Sequence, residues 1–442
     1  SPPTRSIRKV VVASLIGTTI EWYDFFLYGS AAALVFNHVF FPGSEPLVGT
    51  LLAFTTYAVG FVARPLGGLV FGHYGDRIGR KRLLVISLLL MGGATFAIGL
   101  LPTYAAIGVA APLLLTALRV VQGFALGGEW GGAVLIVSEH GDDRNRGFWA
   151  SWPQAGVPCG NLLATAVLAV LAVAMPDSVF LAWGWRIPFL LSGVLVLVGL
   201  WIRLAVAESP VFREAAERAE TAGAPERAPI LEVLTQHWRE VLVAMGVRLA
   251  ENISYYVLTA FILVYATEHA GLSDSTVLNA VLVASAAHLV VIPLWGALSD
   301  RIGRRPVIAV GAVGVAAWSF AFFPLIDAGS FGAVTLAATV GLVLHGAMYG
   351  PQAAFFSELF GTRVRYSGAS VGYQLASIFA GGIAPLVATG LLASFGTSLP
   401  VSVYVTVAGV LTLVAVWASR ETRGRDLAAV PSGPLGRSGS AR

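Results

Sequence analysis

The chain has 442 residues, 56% of them hydrophobic and only 12% charged, with a net charge of +4 and a mean hydropathy of +0.78. A soluble domain carries about a quarter of its residues as charges, so a water-soluble globular fold is excluded. The single Cys159 also excludes a disulfide framework and any Cys-based zinc or iron–sulfur site.

Apolar runs of roughly 20 residues, enough to cross a bilayer, recur from end to end. Read against punctuating charge, Gly and Pro, they predict six helices over 10–36, 49–72, 83–101, 106–138, 149–174 and 187–206. Six more follow over 239–267, 277–299, 307–326, 332–357, 367–395 and 400–419. Pro112 predicts a kink or a late start in the fourth. The first apolar segment is too long for a cleavable signal peptide, keeps two acids in its middle and lacks a small-residue cleavage site after it. The missing initiating Met points to a processed or trimmed start.

The fold class expected is therefore an all-α polytopic membrane protein. Residues 1–206 are predicted to form one six-helix bundle and 239–419 a second. The segment 207–238 is predicted as a linker with an amphipathic helix, and 420–442 as a low-complexity, disordered tail.

Charge sets the expected orientation. Of 28 Lys and Arg, Arg64, Arg119 and Arg248 fall inside spans and Arg186 in an outer loop, which leaves 24 in or beside the termini and the alternate loops. Those loops and both termini are expected on the cytoplasmic side. The positive balance is thus a topology signal, and no nucleic-acid partner is expected.

An internal duplication is written in the loops. Gly72-His73-Tyr74-Gly75-Asp76-Arg77-Ile78-Gly79-Arg80 recurs as Gly296-Ala297-Leu298-Ser299-Asp300-Arg301-Ile302-Gly303-Arg304, an offset of 224 residues. After the fourth helix of each half, Glu139 with Arg144 and Arg146 recurs as Glu358 with Arg363 and Arg365 at an offset of 219. Parallel repeats place a substrate site between the halves, near the membrane midplane. Asp76, Arg80, Glu139, Arg146, Asp300, Arg304, Glu358 and Arg365 are expected to form a cytoplasmic gate in which acids and guanidinium groups pair across helices. The alternative is that these Arg residues only mark topology.

With these loops the chain resembles the major facilitator superfamily over its whole length. More narrowly it is similar to the metabolite:proton symporter family. The narrower resemblance rests on Ile20-Glu21-Trp22-Tyr23-Asp24-Phe25-Phe26-Leu27-Tyr28-Gly29, Ala63-Arg64-Pro65-Leu66-Gly67-Gly68 and Arg119-Val120-Val121-Gln122-Gly123. Gly127-Gly128-Glu129-Trp130-Gly131-Gly132 and Trp183-Gly184-Trp185-Arg186-Ile187-Pro188-Phe189 extend it. The resemblance implies two pseudo-symmetric bundles and proton-coupled uptake of small polar metabolites, such as shikimate, 2-oxoglutarate, citrate, aromatic acids, or proline and betaine. Arg248-Leu249-Ala250-Glu251, Val257-Leu258-Thr259-Ala260-Phe261 and His345 look most like shikimate transporters, while Ser151-Trp152-Pro153-Gln154 and the first helix look closer to uncharacterised members.

Each ionisable group at a helix centre costs about 2.5–3.5 kcal/mol on insertion scales, so each requires a reason. Glu21 and Asp24 share a face at i, i+3. Two carboxylates in a low dielectric do not readily both ionise, so one is expected to carry the coupling proton; the alternative is a structural partner for an Arg. Arg119 is the expected counter-charge, with Gln122 on its face, and the resemblance places both in a motif associated with proton coupling. Glu129 is expected to serve a different pair, with Arg64 as a candidate.

In the seventh helix Arg248, Glu251 and Asn252 share one face. They read either as a self-neutralising pair or as a second clamp for an anion. His288 and His345 read as lone histidines, packing or proton relay, with His345 the better candidate for the cavity. Tyr28, Tyr255, Tyr256, Tyr349, Gln352 and Gln374 are candidate neutral hydrogen-bonding groups.

Glycines four apart, such as Gly127 and Gly131, suit close approach of moving helices. No Walker motif and no Gly-x-Gly-x-x-Gly after a strand occurs, so ATP is not the expected energy source. The expectation is a monomeric inner-membrane symporter of a small carboxylate with protons, not an enzyme, needing no cofactor or metal. A carrier of zwitterionic osmolytes and a proton-independent facilitator are the rival readings.

Overall fold

A computed structural model of the chain describes residues 4–43, 46–221 and 229–428. Twelve long helices run through the described residues. The first six are α1 (Thr4–Ala31), α2 (Pro46–Ile78), α3 (Arg80–Leu100), α4 (Ala110–His140), α5 (Arg146–Ala174) and α6 (Arg186–Leu204). The second six are α7 (Trp238–His269), α8 (Asp274–Ile302), α9 (Arg304–Asp327), α10 (Phe331–Leu359), α11 (Arg365–Phe395) and α12 (Leu399–Ala418). Among the described residues, ten of the twelve are long and apolar enough to cross a membrane. The remaining two, α2 and α5, are 33 and 29 residues long. Pro112 sits in the first turn of α4, where its missing N–H costs nothing, so it marks a late start rather than a kink.

The duplicated motif is more helical than the sequence suggests. It was expected as a loop from 72 to 82, yet α2 runs to Ile78 and α3 starts at Arg80. Gly79 alone turns the chain, at φ 109°, and Gly303 does the same between α8 and α9 at φ 108°. Only glycine adopts such angles without strain. The tight turn keeps Asp76 near Arg80 and Asp300 near Arg304, each pair four residues apart at a helix junction.

Within the first half α1 packs on α5, α2 on α4, and α3 on α4 and α6; within the second, α7 packs on α11 and α12, α8 on α10, and α9 on α10 and α12. The halves meet where α5 lies against α8 and α10 and where α2 lies against α11. Large apolar side chains such as Trp201, Leu197, Val290 and Trp417 stay exposed on the outer surface. In water such a surface would aggregate, whereas in a bilayer it is solvated by acyl chains. Segments of π-helix interrupt α7 at Val257–Phe261 and Tyr265–His269 and α11 at Ile378–Gly382. Such segments free backbone groups and occur frequently at functional sites.

Between the halves the chain forms helices at Pro210–Thr221 and Pro229–Gln236, with 222–228 outside the described residues. The tail expected to be disordered is described as far as residue 428, and this part docks against the protein. Residues 429–442 lie outside the described residues.

Candidate functional site

The repeated charges meet at one end of the molecule, across the two halves. Asp76 accepts hydrogen bonds from the backbone N–H groups of Tyr366 (3.1 Å) and Ser367 (2.9 Å), at the start of α11. Asp300 accepts from Gly147 (2.8 Å) and Phe148 (2.9 Å), at the start of α5. Each Asp therefore caps a helix of the opposite half, satisfying N–H groups that an N-terminus leaves unpaired and complementing its dipole. Each Asp also pairs with a guanidinium group across the junction of two helices. Their Arg partners, Arg80 at 3.3 Å and Arg304 at 2.6 Å, belong to the same half.

The crossing ion pairs are carried instead by the glutamates. Glu139 holds Arg80 (3.2 Å) from its own half and Arg365 (2.9 Å) from the other. Glu358 holds Arg304 (2.9 Å) and Arg146 (3.0 Å) in the same way.

A third repeated pair was missed in the sequence. Glu208 accepts from the Lys81 N–H at 3.1 Å, and the Ser209 hydroxyl donates to Glu139. In the second half Glu421 accepts from the N–H groups of Arg304 (3.0 Å) and Arg305 (3.1 Å), while Thr422 donates to Glu358 at 2.7 Å. The signal was an acid followed by a hydroxyl residue after both the sixth and the twelfth helix. Burial pushes the Glu421 carboxyl up, but the N–H groups of Arg304, Arg423, Arg305 and Thr422 outweigh it and hold it below the usual carboxylate range. The tail continues beneath this network, where Arg146 donates to the Arg425 carbonyl (2.9 Å) and Arg365 to that of Leu427 (2.8 Å).

Inside the first half, the i, i+3 spacing of Glu21 and Asp24 does not make them partners. Glu21 pairs with Arg203 at 2.9 Å and accepts from Ser87 at 3.2 Å. The same guanidinium reaches Glu129 at 3.3 Å, and Thr18 donates to Glu129 at 2.8 Å. Arg203 thus takes the role expected of Arg119 for Glu21 and of Arg64 for Glu129. It was missed because it was counted among the charges beside a cytoplasmic loop, yet its exposure is only 4%. Gly17 makes its room, since a Cβ there would stand 2.2 Å from Arg203 Nη2. Glu21 Oε2 and Glu129 Oε2 are left without a hydrogen-bond partner.

Asp24 accepts from Ser192 at 2.6 Å, lies beside Thr95, and its Oδ2 has no partner. Arg119 donates to Gln122 at 3.2 Å and lies over the rings of Phe25 (4.5 Å) and Tyr28 (4.4 Å). Gln122 donates in turn to Thr95 at 2.8 Å, and Tyr28 to Thr56 at 2.7 Å.

Between the halves lies Arg64, 1% exposed. Its Nε donates to Gln374 of α11 at 3.1 Å, and its guanidinium lies 5.5, 5.8 and 5.4 Å from the rings of Trp22, Phe25 and Phe61. No carboxylate is among its described partners, and Nη1 has no hydrogen-bond partner. Tyr256 stands against Phe61 with ring centroids 5.8 Å apart. Asn252, one turn before Tyr256, is buried and its Nδ2 is also unpaired. Two buried donors without acceptors therefore face the interface region, walled by four aromatic rings.

The second half holds a row of polar groups. Arg248 pairs with Glu251 at 2.6 Å, donates to the Tyr373 carbonyl at 3.0 Å and to Ser377 at 3.1 Å. Gln352 donates to Glu251 at 3.4 Å. His345 reaches Glu251 at 3.1 Å and His288 at 2.9 Å. The two histidines expected to be lone are thus neighbours, brought together by the packing of α8 on α10. Among the described residues no group of three or more metal-ligating side chains is suited to a metal ion.

The family model described as Major Facilitator Superfamily matches residues 14–381 and 285–437. The inner membrane metabolite transport protein YhjE of Escherichia coli K12 is 41% identical over 430 residues, covering 96% of this chain and 97% of that protein. The shikimate transporter of the same organism is 43% identical over 389 residues, 88% of each chain. A proline/betaine transporter of Salmonella typhimurium is 34% identical over 426 residues, 95% of this chain and 85% of the other. Among solved structures, the proton:xylose symporter XylE bound to 6-bromo-6-deoxy-D-glucose superposes with a TM-score of 0.78 at 16% identity, covering 96% of this chain and 98% of that one.

Proposed function

This chain belongs to the major facilitator superfamily, whose members here are transporters and not enzymes, and we propose that it is a proton-coupled symporter of a small carboxylate metabolite. The observation that carries the reading is Arg64: a buried cation between the halves, with no described carboxylate partner and one free guanidinium nitrogen. A cation buried without a counter-ion is costly. A substrate carboxylate supplies that counter-ion, and guanidinium geometry suits it. Asn252 and Gln374 offer further polar contacts, and Trp22, Phe25, Phe61 and Tyr256 pack a flat or ring-bearing body. The shikimate transporter among the relatives fits this chemistry.

Protons enter through the first half. Glu21 and Glu129 share one Arg203, so the cluster carries one uncompensated negative charge unless one acid is protonated. Asp24, with an unpaired oxygen, is a second acceptor. The two six-helix bundles rock about the central site, as parallel-repeat transporters do. Asp76, Asp300, Glu139 and Glu358 with their partners close the cytoplasmic side, and both termini lie on that side of the inner membrane. The protein works as a monomer.

The relatives that carry proline and betaine support a second reading. An aromatic cage suits a quaternary ammonium, but here Arg64 already lies against those rings and would repel it. The test is uptake by proteoliposomes of purified protein, with radiolabelled shikimate, 2-oxoglutarate, citrate, benzoate, proline and betaine, with and without an inward proton gradient. Gradient-driven accumulation of one acid, lost in Arg64→Gln, supports the reading. Accumulation of proline or betaine overturns the anion site, and equilibration without accumulation overturns proton coupling.

A further inference from the structure

In the second-half row the hydrogen bonds run in one direction, through two imidazoles, to a buried lone pair that no donor meets. Glu251 is ion-paired to Arg248 through Oε2, so Oε1 accepts from His345 Nε2. His345 Nε2 then carries the hydrogen, and Nδ1 of the same neutral ring is an acceptor. His288 Nε2 must donate to it, at 2.9 Å. That leaves His288 Nδ1 as an acceptor, and this buried atom has no hydrogen-bond partner. With both rings neutral, these contacts select one tautomer of each.

We propose that His288, His345 and Glu251 form a second proton-binding site, and that loading it frees Arg248 to take a substrate anion. A proton binds at His288 Nδ1. The Nε2 hydrogen of His288 passes to His345 Nδ1, and the Nε2 hydrogen of His345 passes to Glu251 Oε1. Both rings end neutral with their tautomers exchanged, and Glu251 ends as a carboxylic acid. One proton has been added, no electron pair has left its atom, and the row has gained one positive charge.

That charge resides on Arg248, which keeps its bonds to Ser377 and the Tyr373 carbonyl but has lost its counter-ion. A carboxylate arriving from the central site restores neutrality, so proton and anion load together. The charged and titratable groups facing the row are Arg248, Glu251, Tyr255 and Tyr256 from α7, Tyr349 from α10 and Tyr373 from α11. Tyr255 and Tyr349 flank both imidazoles, with ring centroids between 5.3 and 6.4 Å away. Gln352, which donates to Glu251, cannot titrate.

The transport consequence rests on the symport reading; the protonation does not, so it is tested without substrate. Difference infrared spectra of the purified full chain are recorded on stepping from about pH 8 to about pH 4, which spans the ordinary histidine and glutamate values. The wild type should gain a carboxylic-acid band that is missing in Glu251→Gln. The same band should be missing in His288→Gln, whose amide still donates to His345 but accepts no proton at this pH. Identical bands in wild type and Glu251→Gln would show that Glu251 never takes the proton. The Glu251 band persisting in His288→Gln would show that the proton does not enter there. If Glu251→Gln does not fold, His288→Gln against wild type decides: one band lost supports the relay, and an unchanged spectrum overturns it. Because no substrate is present, either result stands whatever the uptake assay shows.

Discussion

Asp76 and Ser367 are joined across the two halves, the carboxylate of one accepting the backbone N–H of the other at 2.9 Å. Asp300 and Phe148 repeat the contact at the same distance of 2.9 Å. Both bonds tie a helix end of one bundle to a helix start of the other, so they must break when the bundles part at this end. Hydrogen bonds to charged groups contribute about 1.5–3 kcal/mol, and Asp76→Ala should therefore favour the separated state by roughly tenfold or more. Ser357 reports this, since it is buried and donates to Ser138 across the same interface at 2.8 Å. With Cys159 replaced by Ser, maleimide should label Ser357→Cys roughly tenfold faster in the Asp76→Ala background. Equal labelling rates would remove Asp76 from the closure.

Arg203 carries the next expectation. Its removal leaves Glu21 and Glu129 buried without a cation, and breaking a buried pair costs about 3–5 kcal/mol. Arg203→Gln should lower the thermal midpoint of the purified protein by several degrees. Adding Glu129→Gln to that variant should recover part of the loss, because one buried negative charge disappears with the guanidinium. A double variant as unstable as the sum of the two single ones would mean that the three groups do not act as a unit.

What the sequence made legible follows from the range of each signal. Apolar runs and the duplicated Asp-x-x-x-Arg motif are local, so twelve helices, the halves and the charged end could all be read along the chain. Pairing between distant helices is not local. Arg203 stands three residues from the end of the predicted sixth span and groups by sequence with the basic loop beside it, which conceals that Gly17 admits it to a buried cluster. His288 and His345 are 57 residues apart and on different helices, so only the packing of α8 on α10 joins them. The reach of Asp76 to a helix start 290 residues away was equally invisible, because backbone N–H groups leave no mark in the residue pattern.

Asp24 offers a test of coupling within the first half. One oxygen is held by Ser192 at 2.6 Å and the other is unpaired, so the group can take a proton without breaking an ion pair. Asp24→Asn keeps the shape and the bond to Ser192 but removes the exchangeable proton. Accumulation of the carried acid against its gradient should be abolished, while exchange of labelled for unlabelled substrate at equal pH should fall far less. Proteoliposomes loaded with substrate measure both. Normal accumulation by Asp24→Asn would take this residue out of the proton path and leave it to the Glu21–Glu129 pair and the Glu251 row.

Glu421 makes the docking of the tail sensitive to acid. Four backbone N–H groups hold its carboxyl below the ordinary range despite burial, whereas a released Glu titrates near about 4.3. A group whose pKa is depressed in the docked state stabilises that state above the released value and loses the contribution as pH falls through the depressed one. Thr422 reports the docking, since it is buried and donates to Glu358 at 2.7 Å. Maleimide labelling of Thr422→Cys, with Cys159 replaced by Ser and each rate divided by that of a free thiol at the same pH so that the falling thiolate fraction cancels, should therefore rise below about pH 4.3. Adding Glu421→Gln should speed the labelling at neutral pH, because the charge-assisted bonds to Arg304 and Arg305 are gone. It should also make the relative rise in acid shallower, since one titrating group has left the docked segment. Parallel normalised profiles with and without Glu421→Gln would show that this carboxylate does not hold the tail in place.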